Sequence, residues 1–471
     1  MGLSMCKSVA VMLVLVFLTA SLIMTAKPVS AATPVENSWT SKAPMHEARG
    51  SMGVAVVNGK IYAIGGSTLQ GSPPYTGGIV ATNEEYDPAT NTWVFKKPMP
   101  TARKEFGIAV YQNRIYCIGG STSEGVTGVN EVYDPATDTW ETKASLPTFR
   151  FGLDANLVNG KIYLIGGDDN GSSIVAPSFN EVYDPMTDSW ASKASMPTST
   201  EDFASTVFGN KIYIMGGFSK FSRSELNQIY DTETDSWSFG APVPFDLIVS
   251  AAACATTGTE APKRIYVFGE MWNIGESHRY SVLVYDAEHD SWTAGADIPT
   301  DRSGFGVAIL YDLIYIIGGE TAYPPDISFS YEAPTLTKYA TNEQYTPIEY
   351  GTILPIVSLV SPLKNQTFNM TNVTLIFTVD KPTVWMGYSL DGQENVTVRS
   401  NTTLAGLANG LHNITVFARD EFENTGASEI LFFTVELPLP EISPILPVVA
   451  SAATVAVVGV GLLMYFRKRK R

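Results

Sequence analysis

Apolar and polar positions in this chain alternate in short bursts, not in helical stripes. From residue 53 the runs Gly53–Val57, Ile61–Ile64, Asn83–Tyr86 and Thr92–Phe95 are rich in β-branched and aromatic side chains, and turn residues bound each one. The first turn is Asn-Gly or a variant and the last is Asp-Pro-X-Thr-Asn/Asp, both tight hairpin connections. Between the second and third runs the path is longer, 15 residues at Ser67–Ala81 and 19 at Glu320–Lys338, and loops of that length in a compact domain are usually functional. The pattern predicts a four-stranded antiparallel sheet.

That unit recurs six times. Its second run reads NGKIYAIGG from Asn58, QNRIYCIGG from Gln112, NGKIYLIGG from Asn159 and GNKIYIMGG from Gly209, with looser copies PKRIYVFGE from Pro262 and YDLIYIIGG from Tyr311. A second phrase, such as EEYDPATNTW or EVYDPATDTW, ends on Trp93, Trp140, Trp190, Trp237 and Trp292, 47 to 55 residues apart. A period near 50 residues built of short strands predicts propeller blades. An orphan fourth-strand phrase surrounds Trp39, and the last third-strand phrase, ATNEQYTP, has no tryptophan after it. The amino-terminal strand is therefore expected to complete the sixth blade and remove the open sheet edges.

The double glycines Gly65-Gly66, Gly119-Gly120, Gly166-Gly167, Gly216-Gly217 and Gly318-Gly319, followed by a tyrosine and then a tryptophan, resemble the kelch repeat over residues 36–350. The fifth copy departs, with Gly269-Glu270. The resemblance implies an all-β, six-bladed kelch propeller over residues 32–351.

The chain ends change the picture. Lys7, the apolar run Val9–Met24 and Val29-Ser30-Ala31 fit a cleaved signal peptide over residues 1–31. Val448–Phe466 is 19 residues without a charge, long enough as a helix to cross a bilayer, and the basic tail Arg467–Arg471 follows at once. These features predict a single-pass protein of the cell membrane with its amino-terminal ectodomain outside. The net charge of −16 hides the asymmetry: without Lys7, Lys27 and the five tail cations, 24 basic residues face 47 acidic ones, near −23. Such a surface does not suit nucleic acid. Cys117 and Cys254 fall in strands of blades on opposite sides of the ring, too far apart for a disulfide, and read as free core thiols.

From Ile353 the repeats stop. Runs such as VTLIFTV, TVWMGYSL, HNITVFAR and EILFFTV alternate with Asp391-Gly392 and Asn409-Gly410 turns, predicting a β-sandwich stalk over residues 352–436. YSLDGQENVTV and GLANGLHNITVFARD resemble immunoglobulin-like or fibronectin-like modules of prokaryotic, especially archaeal, surface proteins. Asparagine sequons cluster here at Asn365, Asn369, Asn372, Asn395, Asn401 and Asn413, against Asn170 alone in the propeller, and mark glycosylation candidates. Prolines at 438, 440, 444 and 447 predict an extended spacer over residues 437–447.

Candidate chemistry gathers where the blades join. Arg49, Arg103, Arg150 and Arg302 recur in register before the first strands, while Thr200 and Leu247 take their place in blades four and five. An arginine fork aimed at the channel mouth would suit a carboxylate or phosphate, and several kelch propellers bind acidic partners through arginines so placed. The alternative is that each pairs with Glu47, Glu105, Asp301 or a loop carboxylate and stabilises its junction. Tyr75, Phe218, Phe221, Trp272, Tyr323 and Phe329 could add stacking surfaces.

A copper site of the galactose-oxidase kind is not expected, because His46, His278, His289 and His412 share no common place. Asp168-Asp169-Asn170 offers only three oxygens on one loop, weak for calcium, so no metal and no cofactor is expected. The reading is a surface binding protein without catalysis that recognises an extracellular protein or glycan through its arginine-bearing, loop-rich face. Two alternatives stand beside it. One is a structural envelope component. The other is an ectoenzyme acting on an acidic sugar, like the sialic-acid epimerase known among kelch proteins, with Glu105, Asp154, Glu201 and Asp202 as acid–base groups.

Overall fold

A computed structural model describes residues 34–71, 76–169, 178–219, 222–244, 246–247, 252–272, 279–323 and 335–438. The expected signal segment, the 448–466 span, the basic tail and most of the 437–447 spacer lie outside them. The described elements are all β-strands, and no helix among the described residues is long and apolar enough to cross a membrane. The chain divides into two compact units between Ile353 and Leu354.

In the first unit, blade one pairs Gly53–Val57, Lys60–Ile64, Asn83–Asp87 and Thr92–Lys96 in that order, all antiparallel. Its first hairpin turns through Asn58 and Gly59 at φ 50° and 73°, the paired left-handed residues of a type I′ turn. Blades two, three, four, five and six repeat the order from Gly107, Asp154, Ala204, Ala252 and Gly306. The fourth strand of blade six is Ser38–Lys42, paired antiparallel with Asn342–Thr346 so that Trp39 lies opposite Tyr345. The ring thus closes through the amino-terminal strand.

Blade five shows what the double glycine does. Elsewhere the second glycine turns left-handed, and in blades one, two, three and six its N–H meets the carbonyl of the next blade's arginine position, as in Gly66 to Arg103 at 3.0 Å and Gly319 to Arg49 at 2.8 Å. A Cβ on Gly66 would sit 2.7 Å from the Gly50 carbonyl, so no other residue fits. Blade five has Glu270 there. Its strands run on without a break, as Ile265–Trp272 and Arg279–Asp286, eight residues each.

A repeated clamp joins the blades. In blade two the Tyr133 hydroxyl donates to Asp138 Oδ1 at 2.6 Å, the same Oδ1 accepts the Lys97 N–H at 2.9 Å, and the Trp140 indole donates to the Lys97 carbonyl at 2.9 Å. Tyr183, Asp188 and Trp190 grip Ala144 in the same way, Tyr230, Asp235 and Trp237 grip Ala194, and Tyr285, Asp290 and Trp292 grip Ala241. Tyr86, Asn91 and Trp93 grip Ala43. The last clamp closes the ring: Tyr345 and Ala296 share Asn37, and Trp39 donates to the Ala296 carbonyl at 3.2 Å. These tyrosines are buried to within 2% of full burial, so each hydroxyl needs its partner.

First strands of neighbouring blades face one another around a central channel of about 520 Å³. They crowd at one end, where a Cβ on Gly306 would lie 2.0 Å from a Val54 methyl. Cys117 and Cys254 are buried free thiols, as expected, and burial raises both above the ordinary thiol range.

The second unit has a sheet of strands 357–361, 373–379 and 402–404 and a larger one ordered 367–368, 431–435, 410–419, 385–390 and 396–398. Leu375, Ile414, Val416, Ala418, Phe433 and Val435, all fully buried, form one core between them, which is a β-sandwich.

Replacing Trp39 by Ala removes both a partly buried ring and the closing clamp. We expect a loss of about 3 kcal/mol, the low end for deletion of a large aromatic, read as a lower midpoint in urea unfolding. An unchanged midpoint would show that the ring closes without this strand.

Candidate functional site

The four arginines do not reach the channel mouth. Arg49, Arg103, Arg150 and Arg302 are all 0% exposed. Each turns inward beneath its own blade and pairs with a glutamate on the third strand: Arg49 with Glu84 at 2.9 Å, Arg103 with Glu131 at 2.5 Å, Arg302 with Glu343 at 2.6 Å, and Arg150 with Glu181. Other donors bond backbone. Arg150 gives Nε to the Gly166 carbonyl at 2.8 Å, Nη2 to Leu164 at 2.9 Å and Nη1 to Thr148 at 2.9 Å, and Arg302 repeats the set on Gly318, Ile316 and Thr300. The guanidinium groups expected to meet a ligand are thus buried against carbonyls and a carboxylate, and of their donors Arg49 Nε and Arg103 Nε have no hydrogen-bond partner. The junction carboxylates expected from the sequence are not the main partners either, since only Glu47 lies near, 3.7 Å from Arg49.

The partners change together along the chain. In blade four, Thr200 replaces the arginine and Gln228 replaces the glutamate, and Gln228 exchanges two 2.9 Å hydrogen bonds with the Thr198 backbone. Blade five has Leu247 at the arginine position and buried Leu283 at the glutamate position. A charged pair in four blades and a neutral pair in blade four fill the same place. This joint substitution was the sequence signal that could have located the glutamates.

What does line the mouth is a chain of left-handed residues two positions after the arginine site. Ser51, Glu105, Gly152, Asp202 and Gly304 have φ of 55°, 53°, 63°, 52° and 60°. They bond from blade to blade: Ser51 N–H to Gly304 at 2.7 Å, Glu105 to Ser51 at 3.0 Å, Gly152 to Glu105 at 3.0 Å and Asp202 to Gly152 at 3.3 Å. Glu105 and Asp202 hold side chains where two other blades use glycine, at a cost of about 1–3 kcal/mol each. They flank Gly152, and a Cβ there would lie 3.1 Å from Asp202 Oδ1.

Carboxylates accumulate around this pair. Asp202 feels Glu105, Glu201 and Asp168, and Glu201 hydrogen-bonds Asp168. Burial, then the Glu105 and Glu201 charges, push Asp202 up to about 7 against the pull of Lys104. Asp154, deeper in the channel, is pushed up to about 6 by burial although Ser205 donates to it at 2.8 Å. Lys104 pairs with Glu105 at 2.8 Å and Lys338 with Glu320, while burial and the nearby Lys104 lower Lys338 to about 8. Three of the four carboxylates named from the sequence, Glu105, Glu201 and Asp202, thus gather at one place, and Asp154 lies apart from them along the channel.

The chain matches the KLHDC2/KLHL20/DRC7 Kelch-repeats domain over residues 107–319 and the Kelch motif over residues 48–100. The ring is a kelch propeller. Among curated proteins it is 40% identical over 78 residues to "Influenza virus NS1A-binding protein homolog" of Xenopus laevis, covering 17% of this chain and 11% of that protein. It is 36% identical over 87 residues to "Beta-scruin" of Limulus polyphemus, covering 18% and 9%. It is 33% identical over 92 residues to "Kelch-like protein 28" of Homo sapiens, covering 18% and 15%. The chain therefore spans a small part of each of these proteins. A solved structure titled "Structure of YjhT" superposes with a TM-score of 0.49 and 19% identity, covering 63% of this chain and 99% of the other.

The three described histidines have carboxylate partners of their own. His46 pairs with Glu84, His289 with Asp286 in a turn, and His412 with Asp391 in the second unit. Among the described residues no group of three His, Cys, Asp or Glu side chains is set to hold a metal. Asn170, Tyr75, Phe221, Phe329 and His278 lie outside the described residues, as do the side chains of Phe218, Trp272 and Tyr323.

Two outcomes test this kelch site. Arg150→Ala leaves Glu181 buried and uncompensated, which costs about 3–5 kcal/mol. The pair Arg150→Thr with Glu181→Gln copies blade four and should recover most of that loss in urea unfolding. If the double variant is as unstable as the single, the blade-four exchange is not the equivalent arrangement it resembles. The second outcome is pH dependence. Asp202 is raised from 3.8 to about 7, so its contribution to stability is complete below about 3.8 and is lost as pH rises through about 7. Asp202→Asn should raise the thermal midpoint at pH 8 and flatten its fall between pH 5 and 8, and an unaltered pH profile would show that Asp202 is not the titrating group.

Proposed function

We propose that this protein is an exported, membrane-anchored binding protein whose propeller head engages a basic segment of a protein partner at the channel mouth. Kelch-repeat proteins mediate protein–protein interactions, which supports the general role. The observation that carries the specific reading is the pair Glu105 and Asp202, both held in left-handed backbone, with Asp202 raised in proton affinity by burial and by the neighbouring Glu105, Glu201 and Asp168. Strain and like-charge repulsion there oppose folding, and a partner's lysine or arginine entering the mouth would offset both. The apolar leader, the 448–466 run with its basic tail and the sequon-rich second unit, here read as an immunoglobulin-like stalk, support an extracellular head.

Catalysis on an acidic sugar is the second reading, favoured by Asp202 at about 7, within range for proton transfer at neutral pH. Burial of the four arginines weighs against it, because an anionic substrate would meet Lys104 and Lys338 amid carboxylates.

A photo-crosslinking residue at Ser303, on the mouth, should capture a partner in intact cells, whereas one at Thr90, in the hairpin turns of the opposite face, should not. Glu105→Gly should separate binding from stability: relief of the left-handed strain raises the unfolding midpoint by about 1 kcal/mol while crosslinking at Ser303 falls. Equal capture from both faces, or capture indifferent to Glu105, would reject the mouth as the docking face.

A further inference from the structure

The second unit exposes an unusual amount of apolar surface. Of the eighteen exposed large hydrophobic residues among the described ones, eleven lie between Leu354 and Leu437. Three of them, Leu411, Ile430 and Phe432, are 67%, 62% and 43% exposed; Leu411 and Phe432 belong to adjacent strands of the larger sheet, and Ile430 directly precedes the strand of Phe432. Bare apolar patches on a free-standing domain are aggregation liabilities unless something covers them.

The sequons are placed on these faces by strand geometry. In a strand, residues i and i+2 share a face, so the asparagine and threonine of Asn-X-Thr point the same way. In strand 410–419, His412, Ile414, Val416 and Ala418 are buried, and Asn413 and Thr415 alternate to the outside. Strand 396–398 likewise carries Thr397 outward opposite Gly387, with Asn395 two residues before it. On the smaller sheet, Thr374 of one sequon pairs across with Thr403 of another, on the face away from buried Val373, Leu375 and Leu404. No sequon asparagine of this unit points into the core.

Aromatic rings flank two of the sequons of the larger sheet. Asn413 is the direct cross-strand partner of Phe432, with Leu411 two residues along the same face. Directly opposed residues have Cβ atoms about 4.5–5.5 Å apart, so a sugar on Asn413 begins beside the ring. Trp385 lies over Gly387, where an added Cβ would meet the indole at 2.5 Å, and donates its N–H to the Thr397 hydroxyl at 3.0 Å. The C–H face of a hexose is apolar and packs on such a ring as another hydrophobic surface would.

We propose that the outer face of the larger sheet is covered by the chain's own N-linked glycans, with the innermost sugar on Asn413 seated against Phe432, Leu411 and Ile430. The proposal rests on the extracellular reading above. It makes the second unit a sugar-sheathed spacer and leaves protein recognition to the propeller. Phe432 here is a positioning residue for the glycan, not a core residue.

The test uses the full chain with a tag after Arg471, expressed in a host that N-glycosylates exported proteins. Glycopeptide mass spectrometry reads occupancy, and timed enzymatic release from the folded protein reads shielding. The expected result is a sugar on Asn413 that is released several-fold more slowly than that on Asn369, with the difference lost in Phe432→Ala. Phe432 is partly exposed, so this variant keeps the core. Release equally fast in both proteins, or an empty Asn413 with the other sequons filled, would overturn the seat. So would a protein partner that shields Phe432 from hydroxyl-radical labelling in Thr415→Ala, which cannot carry the sugar. External protease tells failure of the reading beneath it apart: a tag that survives while every sequon is empty overturns only the glycan cover, and a tag removed from sealed cells overturns the extracellular orientation and the cover with it.

Discussion

One clamp, repeated six times, holds the propeller together: a tyrosine hydroxyl and a neighbouring backbone N–H share the oxygen of an Asp or Asn, and a tryptophan bonds the carbonyl of the same neighbour. Each clamp joins the outer edge of one blade to the residue that leaves the blade before it. Sheets packed face to face could slide, since hydrophobic burial is not directional. The clamp fixes the stagger between blades. Because Asn37 and Trp39 form the sixth copy with Ala296, the ring has no free end once the first strand docks.

With the outside of the ring fixed, the inside can carry strain. The arginines saturate the carbonyls where the second strand ends, and their glutamates tie that corner to the third strand. Buried ion pairs add little net stability over an apolar packing of the same shape. Their effect is geometric: they brace the loops that hold Ser51, Glu105, Gly152 and Gly304 left-handed around the mouth, and the Thr198–Gln228 hydrogen bonds brace the loop of Asp202. A head whose surface charge is strongly negative thus concentrates its most perturbed carboxylates at the channel, where the field along the axis is focused.

The second unit solves a different problem. It has a small core and two sheets whose outer faces are only partly polar, and sequon residues occupy outward positions on both. On the proposal made above, sugars attached at those positions would keep this unit soluble as much as its own side chains do.

Blade number, strand ends, hairpin turns and closure through Trp39 were all legible in the sequence, because period-two patterning and turn chemistry act over a few residues and the count of phrases shows which strand is missing. The departure at Gly269-Glu270 was legible too, though its consequence, two strands that run on for eight residues, needed the structure. The site was only half legible. Glu105, Asp154, Glu201 and Asp202 lie near the first strands, where the sequence put them, and of the two directions that the sequence left open to the arginines the structure shows the one under the blade. Sequence placed Arg49, Arg103, Arg150 and Arg302 at the head of an inner strand, and from there a fork can turn to the channel or under the blade. The partner that decides lies 28 to 41 residues away on the third strand. A repeating sequence determines its own blades through local chemistry; which way a long charged side chain turns, and which carboxylates end as neighbours, is decided only when distant strands are brought together and water is excluded between them.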